Sequence, residues 1–359
     1  MAKKKDFITK SRKQNNKKGI RFKRLAISIA ICFFLLINCF PVFAQEGISS
    51  INIKDLYVRD PYIVVDKKSN TYFLYKSASV KNKEGKQVSG VQAYKSKDLQ
   101  LWEGPYNVYA TPADNWIKGE IWAPEVHEYK GRYYLFATLN SGIEWKKQDK
   151  GWPAYTFRGT QIFHADNLLG PFLPFEDKLP HTPMDRMALD GTLWIENGKP
   201  YMVYCHEWVQ VEDGTMELVE LEDNLSRVKG QSVTLFHASS AKWSNGQPKP
   251  NGKIGYVTDG CFLYRTKTGK LLMLWSSFKS ESYAMGIAES VTGKITGPWK
   301  QQPNLLFGKN SGHGMLFESL DGRLMLTLHG PNSPHGEERA QIFEVEDTGE
   351  SLTIKKKLF

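Results

Sequence analysis

Asp60, Glu125, Asp190, Asp259 and His313 stand at comparable points of a recurring segment. The segments read Asp60-Pro61, Pro124-Glu125 (the order reversed), Asp190-Gly191, Asp259-Gly260 and His313-Gly314. Their spacings are 65, 65, 69 and 54 residues. One Asp before Gly is ordinarily a turn residue, because its short side chain bonds nearby backbone. Five polar residues in phase with a repeat are better explained by one shared pit. Carboxylates converging from distant segments can divide the labour of proton transfer, one held as an acid and another as a base. Glu207, in Cys205-His206-Glu207-Trp208, is a further candidate. It follows a strand that returns antiparallel, so it emerges beside Asp190 and reaches further than an Asp.

The elements that must position these residues are strands. Tyr72-Phe73-Leu74-Tyr75, Tyr133-Tyr134-Leu135-Phe136, Tyr201-Met202-Val203-Tyr204, Leu272-Met273-Leu274-Trp275 and Leu324-Met325-Leu326-Thr327 each read as a strand. Four of them follow a Gly-containing turn: Lys130-Gly131-Arg132, Asn197-Gly198-Lys199, Thr268-Gly269-Lys270 and Asp321-Gly322-Arg323. Such turns suit hairpins because Asn, Asp and Gly tolerate positive φ. The polar residue precedes the second strand of its hairpin at a similar distance each time. Repetition at this period, with several short strands per unit, predicts an all-β, five-bladed β-propeller around a central channel.

The ends of the chain read differently. Residues 3–24 are crowded with Lys and Arg, an apolar run fills 25–43, and Val42-Phe43-Ala44 precedes Gln45. This predicts a signal peptide over residues 1–44, a catalytic propeller over 45–359 and a secreted or periplasmic protein, with no stable membrane insertion after cleavage. The leader holds 11 Lys/Arg and one acid, so the whole +10 net charge belongs to it and the remainder is balanced. A nucleic-acid partner therefore loses its electrostatic support. Cys205 and Cys261 remain after the leader, too few for a disulfide scaffold and without the spacing of a zinc site.

Arg59-Asp60-Pro61-Tyr62, Trp122-Ala123-Pro124-Glu125-Val126, Leu189-Asp190-Gly191-Thr192 and Gly312-His313-Gly314 resemble the blade signatures of glycoside hydrolase family 43. The resemblance runs over essentially all of the chain beyond the leader. It implies inverting hydrolysis of furanosides or pyranosides, such as arabinan and xylan side chains, with an oligosaccharide or polysaccharide as partner. It implies that Asp60 is the general base, that Asp190 tunes and orients the acid, and that His313 lies near a metal ion or water cluster. A structural Ca2+ near His313 is thus an expectation, while the chemistry itself requires no cofactor. The family's acid is a Glu before Gly-Pro in blade four, where this chain reads Thr258-Asp259-Gly260-Cys261. The acid is then either Asp259, one methylene shorter, or Glu207.

Inversion needs a base to activate water and an acid on the opposite side of the sugar, with carboxyl groups roughly 6.5–9.5 Å apart. A third carboxylate nearby raises the acid's pKa. Sugar faces also need flat apolar surfaces and polar groups for hydroxyls. Trp122, Trp208, Trp152, His206 and Glu125 are the candidates, lying in or beside the motif segments, and the insert at residues 140–158 is expected to wall the site. Two rivals remain: a catalytically weak carbohydrate-binding propeller, suggested by Asp259-Gly260-Cys261, and a retaining or phosphorolytic sugar-cleaving propeller. No Arg/Lys cluster accompanies the motifs, which places phosphorolysis last.

Overall fold

In the strand Leu271–Lys279, Leu271, Met273 and Trp275 enter one apolar cluster while Leu272 and Leu274 enter another. Side chains alternate across a strand, so a segment apolar at every position must be covered on both faces. The computed structural model, which describes residues 47–359, satisfies this with five sheets arranged as the blades of a propeller. The leader and its cleavage point lie outside the described residues.

Each blade is an antiparallel meander of consecutive strands. Blade one holds Tyr62–Asp66, Thr71–Lys81, Gln87–Ser96 and Leu101–Ala110, with Ser49–Asn52 added at its outer edge. Blade two holds Ile121–Tyr129, Arg132–Lys146, Tyr155–Ala165 and Leu173–Pro174, and blade three Ala188–Glu196, Lys199–His206, Thr215–Leu221 and Val228–His237. Blade four holds Asp259–Arg265, Leu271–Lys279, Ser282–Ser290 and Trp299–Gln301, and blade five Gly312–Glu318, Leu324–Gly330, Arg339–Asp347 and Leu352–Lys357. All five expected strands are second strands of their blades. The Lys130-Gly131 and Asn197-Gly198 turns take the expected positive φ, at 50° and 76°, and 52° and 77°.

The core is divided among the blade interfaces. Tyr75 and Val91 of blade one meet Leu135 and Phe163 of blade two. Phe136 and Ile162 then meet Met202 and Tyr204 of blade three. Val203 and Met216 meet Met273 and Trp275 of blade four, and Leu274 and Ile287 meet Leu326 and Phe343 of blade five. Met315 and Phe317 of blade five finally pack on Ile63, Leu74 and Trp102 of blade one. Among the described residues no strand is shared between the first and last blades, and the ring is closed by apolar packing with one backbone bridge between Tyr57 and Arg339.

Three additions rise from blades two to four. The strands Arg132–Lys146 and Tyr155–Ala165 extend into a hairpin whose Trp145 stacks on Tyr155 at 5.5 Å. A helical turn, Trp208–Val211, follows blade three's second strand, and a small hairpin pairs Gln247–Pro248 with Ile254–Gly255. Trp152 Nε1 and Gln148 Nε2 both donate to the Val209 carbonyl, at 2.7 and 3.1 Å. These bonds dock the blade-two insert onto the helical turn.

Candidate active site

The innermost strands share one local device. Pairing with the second strand skips between Trp122 and Glu125, Leu189 and Thr192, Asp259 and Phe262, and Gly312 and Met315. Each skip is a β-bulge, and its first residue has positive φ: Ala123 at 43°, Asp190 at 55°, Gly260 at 50° and His313 at 49°. Asp60, just before blade one's pairing begins, matches them at 51°. This corrects the phase expected from the sequence. Asp60, Asp190 and His313 are equivalent, but the corresponding residues in blades two and four are Ala123 and Gly260. Glu125 lies two residues beyond the bulge start and Asp259 one before it.

Neighbouring blades hold these bulges through second-strand side chains. The Asp190 N–H donates to Thr138 Oγ1 at 2.8 Å, His313 N–H to Ser276 Oγ at 2.8 Å, and Asp60 N–H to His329 Nδ1 at 3.3 Å. Thr138, Ser276 and His329 occupy equivalent pairing positions, and blade three has Cys205 there. A thiol is a weak acceptor. The Gly260 N–H bonds Asp190 Oδ2 instead, at 3.1 Å, and Cys261 Sγ donates to the Asp190 carbonyl at 3.2 Å. Both cysteines are free and buried.

Asp60, Asp190, Asp259 and His313 meet around the axis. His313 Nδ1 lies 3.2 Å from Asp60 Oδ1 and 3.0 Å from Asp259 Oδ1, and Tyr283 donates to Asp259 Oδ2 at 2.7 Å. Burial opposes charge on every member, and proximity decides which keep it. On His313 burial is outweighed by Asp60, Asp259 and Asp190, which push its pKa well up. Burial would raise Asp60 too, but His313, His329 and Arg59 hold it down at about 2. Asp259 is likewise held low against burial by His313 and Tyr283. Asp190 goes the other way: burial and the Asp259 charge push it well above the usual carboxylate range. Charge is therefore favoured on His313, Asp60 and Asp259 and disfavoured on Asp190. Asp60 Oδ1 is buried, with His313 Nδ1 3.2 Å and His329 Nδ1 3.1 Å away.

Glu207 is the N-cap of the helical turn, and its N–H donates to the Met187 carbonyl at 2.8 Å. Arg158 Nη1 lies 3.2 Å from its Oε2. Burial pushes the Glu207 carboxyl up to about 7, with Arg158 pulling down and Asp259 pushing further up. Asp259 is therefore near enough for its charge to act on Glu207.

The remaining expected residues scatter. Trp122 is half-buried, carries the Arg158 guanidinium 4.7 Å above its ring and donates from Nε1 to Glu120 Oε2 at 3.0 Å. Glu125 is buried and bonded to His127 Nε2 at 2.8 Å, and it lines the channel with Asp60 and His313. His206 bonds Gln210 through Nε2 at 2.9 Å, and burial lowers its pKa. Trp208 meets Trp152 edge-on at 5.1 Å, under the ammonium of Lys249. Arg158, Tyr283, Thr138 and Ser276 were not singled out as site residues. Only the alignment of second strands, which puts Thr138, Ser276 and His329 at one level, carried a signal for any of them.

Asp190, Asp259 and His313 bring ligand atoms within 4.8 Å of one another, the grouping a divalent cation needs. His313 Nδ1 is turned to Asp60 and Asp259, which leaves Nε2, and an imidazole binds an ion only through an unprotonated nitrogen. The two carboxyls and that nitrogen fit a divalent cation such as Ca2+, which would compete with protonation of the imidazole.

Comparison with known proteins agrees with this geometry. The chain matches the family described as Glycosyl hydrolases family 43 over residues 52–354. An endo-arabinase structure from Bacteroides thetaiotaomicron VPI-5482 is 38% identical, with a TM-score of 0.71 over 84% of this chain and 98% of that one. Alpha-L-arabinofuranosidase 43 of Humicola insolens is 23% identical over 57% of this chain and 41% of its own length. The extracellular exo-alpha-(1->5)-L-arabinofuranosidase ArbA of Cellvibrio japonicus (strain Ueda107) is 22% identical over 48% of this chain and 46% of its own. The matched stretches thus span less than half of either curated relative.

Proposed function

The chain belongs to glycosyl hydrolase family 43 and is a glycoside hydrolase, and from that premise we propose that it inverts arabinofuranosidic linkages with Asp60 as base and Glu207 as acid. One observation carries the reading: two buried carboxylates on different blades are driven apart in pKa, Asp60 down to about 2 and Glu207 up to about 7. Opposed environments of this kind mark an acid and a base. His313, His329 and Arg59 keep Asp60 ionised, and an ionised carboxylate is the form that can take a proton from water. Glu207 is protonated over much of the neutral range and can protonate the departing oxygen.

Against Asp259 in that role stand Tyr283 and His313, which face its two oxygens at 2.7 and 3.0 Å and favour the anion. Its charge acts on Glu207 instead. Asp190 acts on the acid through Asp259, the carboxylate beside it. A xylosidic substrate is the second reading within this class, and it has no separate support in the site.

The proposed proton transfers use carboxyls alone, and a structural Ca2+ held by Asp190, Asp259 and His313 would compete with protonation of the imidazole. Secretion is part of the same proposal, supported by the basic and apolar leader. Among the described residues no helix is long and apolar enough to cross a membrane.

The test is turnover of aryl α-L-arabinofuranosides, aryl β-D-xylopyranosides and arabinan, with NMR of the first-formed anomer. Inverted arabinose is expected. Retained configuration defeats the mechanism, and arabinan binding without turnover of any substrate favours the carbohydrate-binding alternative.

A further inference from the structure

Arg158 belongs to none of the innermost-strand bulges and to no motif, yet its guanidinium lies 3.2 Å from the proposed acid. It sits on the third strand of blade two, opposite Asn140. Nη1 lies 3.2 and 3.4 Å from the two Glu207 oxygens, and Nη2 donates to Thr156 Oγ1 at 2.9 Å. The guanidinium lies over Trp122, whose own Nε1 is tied to Glu120. Both charged side chains are nearly covered, at 11% and 12% exposure.

A buried ion pair is a poor stabilising device when its hydrogen-bonding capacity is unfilled, because desolvation then outweighs attraction. This pair is unfilled on both sides. Among the described residues Arg158 Nε is buried without an acceptor, and Glu207 Oε2 is buried and meets only the Arg158 guanidinium, at 3.2 Å and off hydrogen-bond geometry. Stacking on Trp122 nonetheless restrains a side chain that would otherwise have many rotamers. An arrangement kept rigid at a cost in stability points to a task at the carboxyl.

We propose that Arg158, held over Trp122, is a positioning residue that aims the Glu207 carboxyl and sets the alkaline limit of activity. This rests on the reading of Glu207 as the acid. The charged groups facing Glu207 are Arg158 from blade two and Asp259 from blade four, with opposite effects on its proton. Removing Arg158 leaves burial and Asp259 unopposed, so the carboxyl keeps its proton to higher pH. Removing it also frees the carboxyl to rotate, which lowers turnover.

The experiment compares pH profiles of kcat and kcat/KM for wild type, Arg158→Gln, Arg158→Lys and Glu207→Gln on aryl arabinofuranosides with poor leaving groups. Titration of the Glu207 carboxyl by NMR on Glu-labelled protein, assigned by its absence in Glu207→Gln, reads the same group without turnover. Arg158→Gln is expected to move the alkaline limb and the NMR titration upward by about one pH unit and to lower kcat about tenfold. Arg158→Lys, which keeps the charge but not the plane, is expected to leave the limb in place and still lose kcat. An Arg158→Gln limb and titration identical to wild type overturn the proposal while Glu207→Gln still abolishes turnover. Full rate in Glu207→Gln instead overturns the acid assignment itself. Should Arg158→Gln fail to fold, an Arg158→Lys variant with wild-type kcat overturns the positioning role.

Discussion

Tyr283 donates its phenolic hydrogen to Oδ2 of Asp259 at 2.7 Å while His313 faces Oδ1 at 3.0 Å, so donors occupy both oxygens of this carboxylate. A carboxylate satisfied in this way resists protonation. The position that resembles the family's acid is therefore built to stay charged.

Leaving-group dependence separates the two carboxyls. Glu207→Gln is expected to lose about 10²–10⁴-fold in kcat/KM on poor leaving groups and to recover much of it on very good ones, which need no protonation. Asp259→Asn is expected to be impaired equally across the series. The slope of log kcat/KM against leaving-group pKa is the measurement, and recovery confined to Asp259→Asn would reverse the assignment.

Activity against pH should be lopsided. Asp60 is already ionised near pH 2 and Glu207 loses its proton near pH 7. Rate is then expected to hold across mildly acidic pH and to fall tenfold per unit above about 7 to 8. A limb at or below pH 5 would rule out Glu207 as the titrating acid.

Tyr283→Phe removes one donor from a buried anion. Stability is expected to drop by about 1.5–3 kcal/mol, the range for a hydrogen bond to a charged group, measured by urea unfolding. No change would mean that water replaces the phenol.

Blade packing gives a control remote from the chemistry. Trp275 is fully buried between blades three and four. Trp275→Ala should cost about 3–5 kcal/mol of stability. A Cβ at Gly286 would fall 2.3 Å from Trp243 Cζ2, so Gly286→Ala should cost about 1–3 kcal/mol through overpacking. Denaturant midpoints read both, and unchanged midpoints would contradict the interface.

Chelation should leave turnover intact. Added Ca2+ is expected to raise Tm more at pH 8 than at pH 6, because the ion competes with the His313 proton. Turnover that vanishes with EDTA and returns with Ca2+ would show that the chemistry does need the ion.

The site was half visible beforehand, for identifiable reasons. Asp60, Asp190 and His313 each precede Pro or Gly and take positive φ, and the last two start a bulge. Glu125 and Asp259 share that appearance but not that phase, because a polar residue beside Pro or Gly does not reveal which residue takes positive φ. Ala123 and Gly260 hold those places, and neither has a side chain that would draw notice. Arg158 was passed over because nothing in its local sequence separates a cation over a carboxyl from a solvated one.

Strand alternation, hairpin turns and the count of repeats are properties of adjacent residues, and the amino-acid order alone determined them together with the five blades. Which carboxyl keeps a proton was decided only by the tertiary structure. Protonation depends on burial and on charges a few ångströms away, and here those charges come from blades whose residues lie as far apart in the chain as Asp60 and His313.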